Sequence, residues 1–185
     1  MSRMVRGLAV MAMLWGLGLG SAWAAGLQAG VAQSFVFTDA GYFADKPLTV
    51  HYYKATSAGP DAKVLFAIHG AEHDGAKARS NWVEWAEKNQ GIVLAPEFAP
   101  PRYLVKNFQW GGMEDADPQH WTFQLIEHLF DAVRRDEGLQ AERYFLFGHS
   151  AGAQFVHRFM LMQDAPRVAL AVAANAGSYT MPVYP

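Results

Sequence analysis

The sequence predicts an α/β fold: a mostly parallel sheet with antiparallel strands at its N-terminal side. Three observations carry that expectation. Four short runs, 64–68, 92–95, 144–147 and 168–173, are almost wholly apolar, as strands covered on both faces are. Segments with helical spacing separate them, so strands and helices alternate. Two earlier apolar runs, joined by turn residues, extend the sheet as an antiparallel pair.

The first 24 residues are set apart. Arg3 and Arg6 precede an apolar run from Leu8 to Leu19, and Ala22-Trp23-Ala24 stands before Ala25. That is the charged, hydrophobic and small-residue order of an export signal. The run of about 12 residues is short of the roughly 20 needed to span a bilayer. The expected organisation is a signal peptide at 1–24 and one domain at 25–185, exported to the periplasm or beyond, with no stable membrane span after cleavage. Without the signal, 161 residues remain, with 13 Lys+Arg against 17 Asp+Glu and a formal net charge of −4. That balance favours neither nucleic acid nor an anionic membrane as partner. Cysteine is absent, which excludes disulfides and a thiol nucleophile. Oligomeric state is left open.

Along the domain, Phe35-Val36-Phe37 and 48–53 are strands, with Asp39, Gly41, Asp45 and Pro47 supplying the turn. The strand 64–68 ends at His69-Gly70. Residues 78–89 form a helix with Trp82, Trp85 and Ala86 on one face, and the strand 92–95 follows. Pro96, Pro100 and Pro101 exclude a regular element at the start of 96–117, a connection long enough to be a binding loop. Its Phe98, Tyr103, Phe108, Trp110 and Met113 either wall a substrate site or seal the domain. Asp117-Pro118 marks a helix start, with Asp as cap and Pro in the first turn. Thr122, Leu125, Ile126, Leu129, Phe130 and Val133 give that helix its buried face, and Gly138 stops it. After the strand 144–147, Ala153, Val156, Met160, Phe155 and Phe159 line the inner side of another helix, with Arg158 reaching water. The strand 168–173 runs into Asn175-Ala176-Gly177.

The chemistry concentrates at Gly148-His149-Ser150-Ala151-Gly152, a G-x-S-x-G between strand and helix. A chain turning directly from strand to helix crowds its own backbone, so Cβ atoms at 148 and 152 would collide. Ser150 is then held in a strained conformation with its hydroxyl raised above the sheet, as a nucleophile. The oxyanion donors are expected to be the N–H of Ala151, in the first helical turn, and the N–H of Ala71, in the loop after Ile68. His149 is adjacent to the serine and His157 lies two turns down the helix, so neither suits the base. His69 fits a structural bond to loop backbone better than catalysis. Glu72, His73 and Asp74 could suggest metal ligands, but no second cluster completes a coordination set, and neither metal nor cofactor is expected. After Ser150 the only acidic residue is Asp164, and no histidine follows His157. The expectation is therefore a C-terminally incomplete piece of a longer protein, or a degenerate product.

The chain resembles the α/β-hydrolase superfamily, and more narrowly secreted esterases and polyhydroxyalkanoate-depolymerase-like hydrolases. The resemblance rests on Phe66-Ala67-Ile68-His69-Gly70, on 148–152, and on Ala173-Ala174-Asn175-Ala176-Gly177, and covers about residues 35 to 180. It implies an eight-stranded sheet of which this chain holds roughly six strands, with a triad Asp after a seventh and a His after an eighth. It also implies that the complete protein hydrolyses small-molecule or polymeric carboxylic esters through an acyl-enzyme on Ser150, these 185 residues alone being inactive. A serine peptidase of the same fold and a non-catalytic secreted binding protein are the alternatives.

Overall fold

The computed structural model describes residues 26–164 and 167–181; the expected signal peptide lies outside them. Six strands form one sheet: β1 (Ala32–Phe37), β2 (Leu48–Lys54), β3 (Val64–Ile68), β4 (Ile92–Glu97), β5 (Tyr144–His149) and β6 (Val168–Ala174). Their spatial order is β1-β2-β4-β3-β5-β6. β1 pairs antiparallel with β2 and β2 antiparallel with β4, while β4, β3, β5 and β6 run parallel. The mixed sheet expected from the sequence is thus present, with the antiparallel pair at one end.

Among the described residues, four α-helices connect the strands. Between β3 and β4 lie α1 (Gly75–Ser80) and α2 (Val83–Asn89); α3 (Gln124–Glu137) precedes β5, and α4 (Ala151–Met162) follows it. A short 3-10 turn spans Gly41–Phe43 and another spans Pro118–His120. Every side chain of β3 is buried, which is why its sequence is an unbroken apolar run. Two cores result. Phe66, Ile68, Leu94 and Leu146 meet α3 and α4 on one face, with Leu129, Phe130, Val133, Phe155 and Phe159. On the other face Leu65, Ala67, Val93 and Ala95 meet α2, where Trp82 and Trp85 pack edge-on against Phe147 and Phe145.

Several elements depart from expectation. The helix expected at 78–89 is two, broken at Asn81 and Trp82, and the first starts earlier than expected because Asp74 caps it, accepting from the Lys77 amide at 2.7 Å. Pro96 lies inside β4. It is tolerated because β3 pairs with β4 only through Leu94, leaving one side of Pro96 without a ladder partner. Asp117 does cap, accepting from Gln119, but it caps the 3-10 turn, and α3 begins only at Gln124. Beyond β4, residues 98–117 hold no regular element, yet Phe98, Tyr103 and Phe108 are buried, so these aromatics seal the domain. On α4, Met160 is 40% exposed, whereas Arg158 is buried. The Arg158 guanidinium donates to the carbonyls of Gln109 (3.0 Å) and Gln154 (3.2 Å) and to the hydroxyls of Ser178 and Thr180 (each 3.2 Å). The segment after β6 therefore closes over it.

Candidate active site

Parallel strands place the loops that follow them on one edge of the sheet, and there Ser150, His149, His69, Gly70 and Glu72 line one cleft. Ser150 sits between β5 and α4 with φ 55° and ψ −112°, a left-handed conformation that side-chain-bearing residues seldom adopt. Its N–H donates to the Ala174 carbonyl at 3.0 Å and its own carbonyl accepts from the Gln154 amide at 3.1 Å. The strained serine is thus pinned by β6 on one side and α4 on the other.

The two glycines are required for different reasons. A Cβ on Gly148 would stand 2.2 Å from the Gly152 carbonyl oxygen, the strand–helix collision the sequence implies. A Cβ on Gly152 would stand 2.4 Å from the Ile68 carbonyl oxygen and 2.5 Å from that of His69. Its crowding partner is therefore the end of β3, and Gly152 is what lets α4 lie against the loop at 69–75.

That loop is tightly organised. His69 is 2% exposed; its Nδ1 donates to the Gly70 carbonyl at 2.8 Å and its Nε2 accepts from the Phe98 amide at 2.8 Å. Burial pushes the His69 pKa down, partly opposed by the Gly70 carbonyl, so the ring is neutral with both nitrogens occupied. Such a ring can neither take a proton from a serine nor bind a metal. Ala71 is exposed, and its peptide with Gly70 is trans, so its N–H points away from the His69 ring that holds the Gly70 carbonyl. Ala151 is buried at the first position of α4, where its N–H has no intrahelical carbonyl to meet.

Ser150 borders an open cleft of about 660 Å³ together with Ile68, His69 and Gly70. Trp82 and Phe147 give it an apolar floor, and Glu72, Lys77 and His149 add polar groups. His149 is exposed, with Nε2 3.4 Å from Asn175 Nδ2. His157 lies on α4, where Nε2 accepts from the Thr180 amide at 2.8 Å. Asp164 sits just beyond the far end of α4, at the opposite end of that helix from Ser150. Among the described residues no group of three or more His, Cys, Asp or Glu could hold a metal ion. Asn175, in the Asn-Ala-Gly turn expected after the strand 168–173, lies on this edge beside His149 and carries φ 55° directly after β6.

This sheet order, with a serine elbow at the end of β5, is that of the α/β-hydrolases, and the chain has their fold. No family model matches it. Among solved structures it is similar to poly(aspartic acid) hydrolase-1 from Sphingomonas sp. KT-1, with 41% identity and a TM-score of 0.78, covering 85% of this chain and 60% of that one. It is also similar to the poly(3-hydroxybutyrate) depolymerase LpqC from Bordetella parapertussis, with 31% identity and a TM-score of 0.81, covering 88% and 57%. A bifunctional acetylxylan esterase/xylanase from Neocallimastix patriciarum is 25% identical over 113 residues, 60% of this chain and 15% of that protein. The likeness is therefore to esterase-like α/β-hydrolases, and the chain spans about three fifths of the length of its solved relatives.

Proposed function

We propose that this chain carries the nucleophile half of a serine hydrolase acting on carboxylic esters. Ser150 Oγ attacks the ester carbonyl, and the alkoxide that forms accepts hydrogen bonds from the Ala151 and Ala71 amides. The C–O bond to the alcohol breaks, the alcohol leaving with the proton that the serine hydroxyl gives up, and water then hydrolyses the acyl-enzyme to the free acid and Ser150. The observation that carries this reading is the φ 55°, ψ −112° conformation of Ser150 at the mouth of the cleft it shares with Ile68, His69 and Gly70. Strain of that kind costs about 1–3 kcal/mol and persists where a site needs it. The general base and its acid are assigned to no residue here. His69 is excluded by its two hydrogen bonds, and no acidic residue stands beside His149 or His157 among the contacts of the described residues.

Likeness to a poly(3-hydroxybutyrate) depolymerase and to a bifunctional acetylxylan esterase/xylanase supports ester substrates, small or polymeric. A second reading has a specific observation behind it. The solved relative with 41% identity is by name a hydrolase of poly(aspartic acid), an amide-linked polyanion, and Lys77 borders the cleft. Export belongs to the proposal as well, on the pattern of residues 1–24; among the described residues no helix is long and apolar enough to cross a membrane.

The test is hydrolysis of matched ester and amide substrates by the product of the whole reading frame. The ester reading expects turnover of p-nitrophenyl butyrate that Ser150→Ala abolishes. Preferential cleavage of an aspartyl amide would replace it with the amide reading, and full activity in Ser150→Ala would reject both.

A further inference from the structure

Four hydrogen bonds close a ring through Phe98. His69 Nδ1 donates to the Gly70 carbonyl at 2.8 Å, and His69 Nε2 accepts from the Phe98 amide at 2.8 Å. At the other end of the same residue, the Phe98 carbonyl accepts from His73 Nδ1 at 2.7 Å. The His73 backbone N–H then donates to the Gly70 carbonyl at 3.3 Å, completing the circuit. An amide N–H only donates and a carbonyl only accepts, so each imidazole must carry its proton on Nδ1. The two rings meet edge-on at 5.4 Å, and Phe108 lies against both, at 4.7 Å from His69 and 5.8 Å from His73.

The circuit is tied to the elbow. Phe98 is fully buried, and its ring stacks on Phe155 of α4 at 5.3 Å between centroids. Phe155 belongs to the helix that Ser150 begins, and Gly152 of that helix touches the His69 carbonyl. One closed contact set therefore joins the Gly70–Ala71 peptide to the backbone that carries the serine. Packing alone does not account for His73. It holds φ 56°, a strained choice for a side-chain-bearing residue, and that conformation puts its ring against the Phe98 carbonyl.

We propose that His69 and His73 are positioning residues which, by gripping Phe98 at both its amide and its carbonyl, hold the Gly70–Ala71 peptide with the Ala71 N–H turned toward the Ser150 cleft. This rests on the hydrolase reading above for its purpose, though not for its geometry. His69 cannot be protonated without ejecting the Phe98 amide, and the charged or titratable groups facing it are His73, Glu72 and Glu97.

The experiment uses NMR on the isotopically labelled product of the whole reading frame and two kinds of variant. His73→Asn keeps a donor near the Nδ1 position and tolerates positive φ; His73→Ala keeps neither. The expected result is an Ala71 N–H vector, read from residual dipolar couplings, that is unchanged in His73→Asn and re-oriented in His73→Ala. Phe98 amide exchange should accelerate about tenfold in His73→Ala and stay within about twofold in His73→Asn. His69→Gln, whose amide oxygen can accept from Phe98 near the Nε2 position but which has no donor at the Nδ1 position facing Gly70, should re-orient the Ala71 vector while Phe98 exchange stays slow. If His69→Gln fails to fold, the His73 pair decides alone. An Ala71 vector identical in wild type and His73→Ala, or equal exchange in the two His73 variants, overturns the proposal. Labelling of Ser150 by a fluorophosphonate is read separately. A clamp that behaves as described beside an unreactive Ser150 removes the hydrolase reading and leaves the clamp; a reactive Ser150 beside an indifferent clamp does the reverse.

Discussion

The Ser150 amide donates to the Ala174 carbonyl across 3.0 Å, so the strained residue at the end of β5 is fastened to the end of β6. A residue with positive φ would otherwise relax, and this bond, with the Gln154 amide on the Ser150 carbonyl, holds it.

Replacing Ser150 by Gly should therefore stabilise the fold. Glycine adopts the same φ without the Cβ penalty, and relief of about 1–3 kcal/mol outweighs the roughly 0.4–1 kcal/mol of stability lost because glycine gives the unfolded chain more freedom. Urea denaturation of wild type and Ser150→Gly checks this. A variant no more stable than wild type would show that the elbow stores no strain.

Gly152→Ala should go the other way. Alanine is favoured over glycine inside a helix by about 1 kcal/mol. The new Cβ, however, would stand 2.4 and 2.5 Å from two backbone oxygens that cannot rotate aside. Overpacking of about 1–3 kcal/mol should win, lowering the denaturation midpoint and separating α4 from the loop at 69–75. A midpoint at or above wild type would contradict the close approach.

How much of this was legible in the sequence follows from the range of each cause. β3 was readable to the residue because burial on both faces leaves an unbroken apolar run. The elbow was readable because Gly148 and Ser150 answer to backbone within a few positions of themselves. What escaped depends on distant partners. Arg158 looks like a solvent-facing charge until the chain at 178–180 and Gln109 cover it, and Pro96 looks like a strand breaker until β3 proves shorter than β4. His69 could be guessed to bind loop backbone, but its partner Phe98 lies 29 residues on, in a stretch with no periodicity.

His128 and Asp39 give a pH-dependent tie between α3 and the turn after β1, at 2.6 Å. The hydrogen bond to Asp39 raises the His128 pKa, with Asp131 and Glu127 adding to it and partial burial opposing it. A folded-state pKa above the unfolded value of about 6.5 means stabilisation fully present below that value and lost as pH rises through the raised one. Asp39→Asn should cost most stability at about pH 5.5 to 6.5 and less at pH 8 to 9. Thermal melts of both proteins across that range check it, and a penalty that grows with pH would be wrong in sign.

The outer edge of β6 should make these 185 residues associate when isolated. Among the described residues β6 pairs only with β5, its seven residues carry no charge, and Leu170 and Val172 are 57% and 43% exposed. An uncharged apolar edge is a template for pairing. Light scattering should show self-association that Leu170→Lys with Val172→Lys suppresses. A monomeric, sharply melting wild-type chain would contradict it.

The most direct test of the account is mass-spectrometric mapping of a fluorophosphonate adduct on the product of the whole reading frame. One covalent adduct on Ser150, absent from Ser150→Ala while Ser178→Ala labels normally, is the expected result. An unlabelled protein, or labelling that survives Ser150→Ala, would show that the serine raised between β5 and α4 is not the nucleophile.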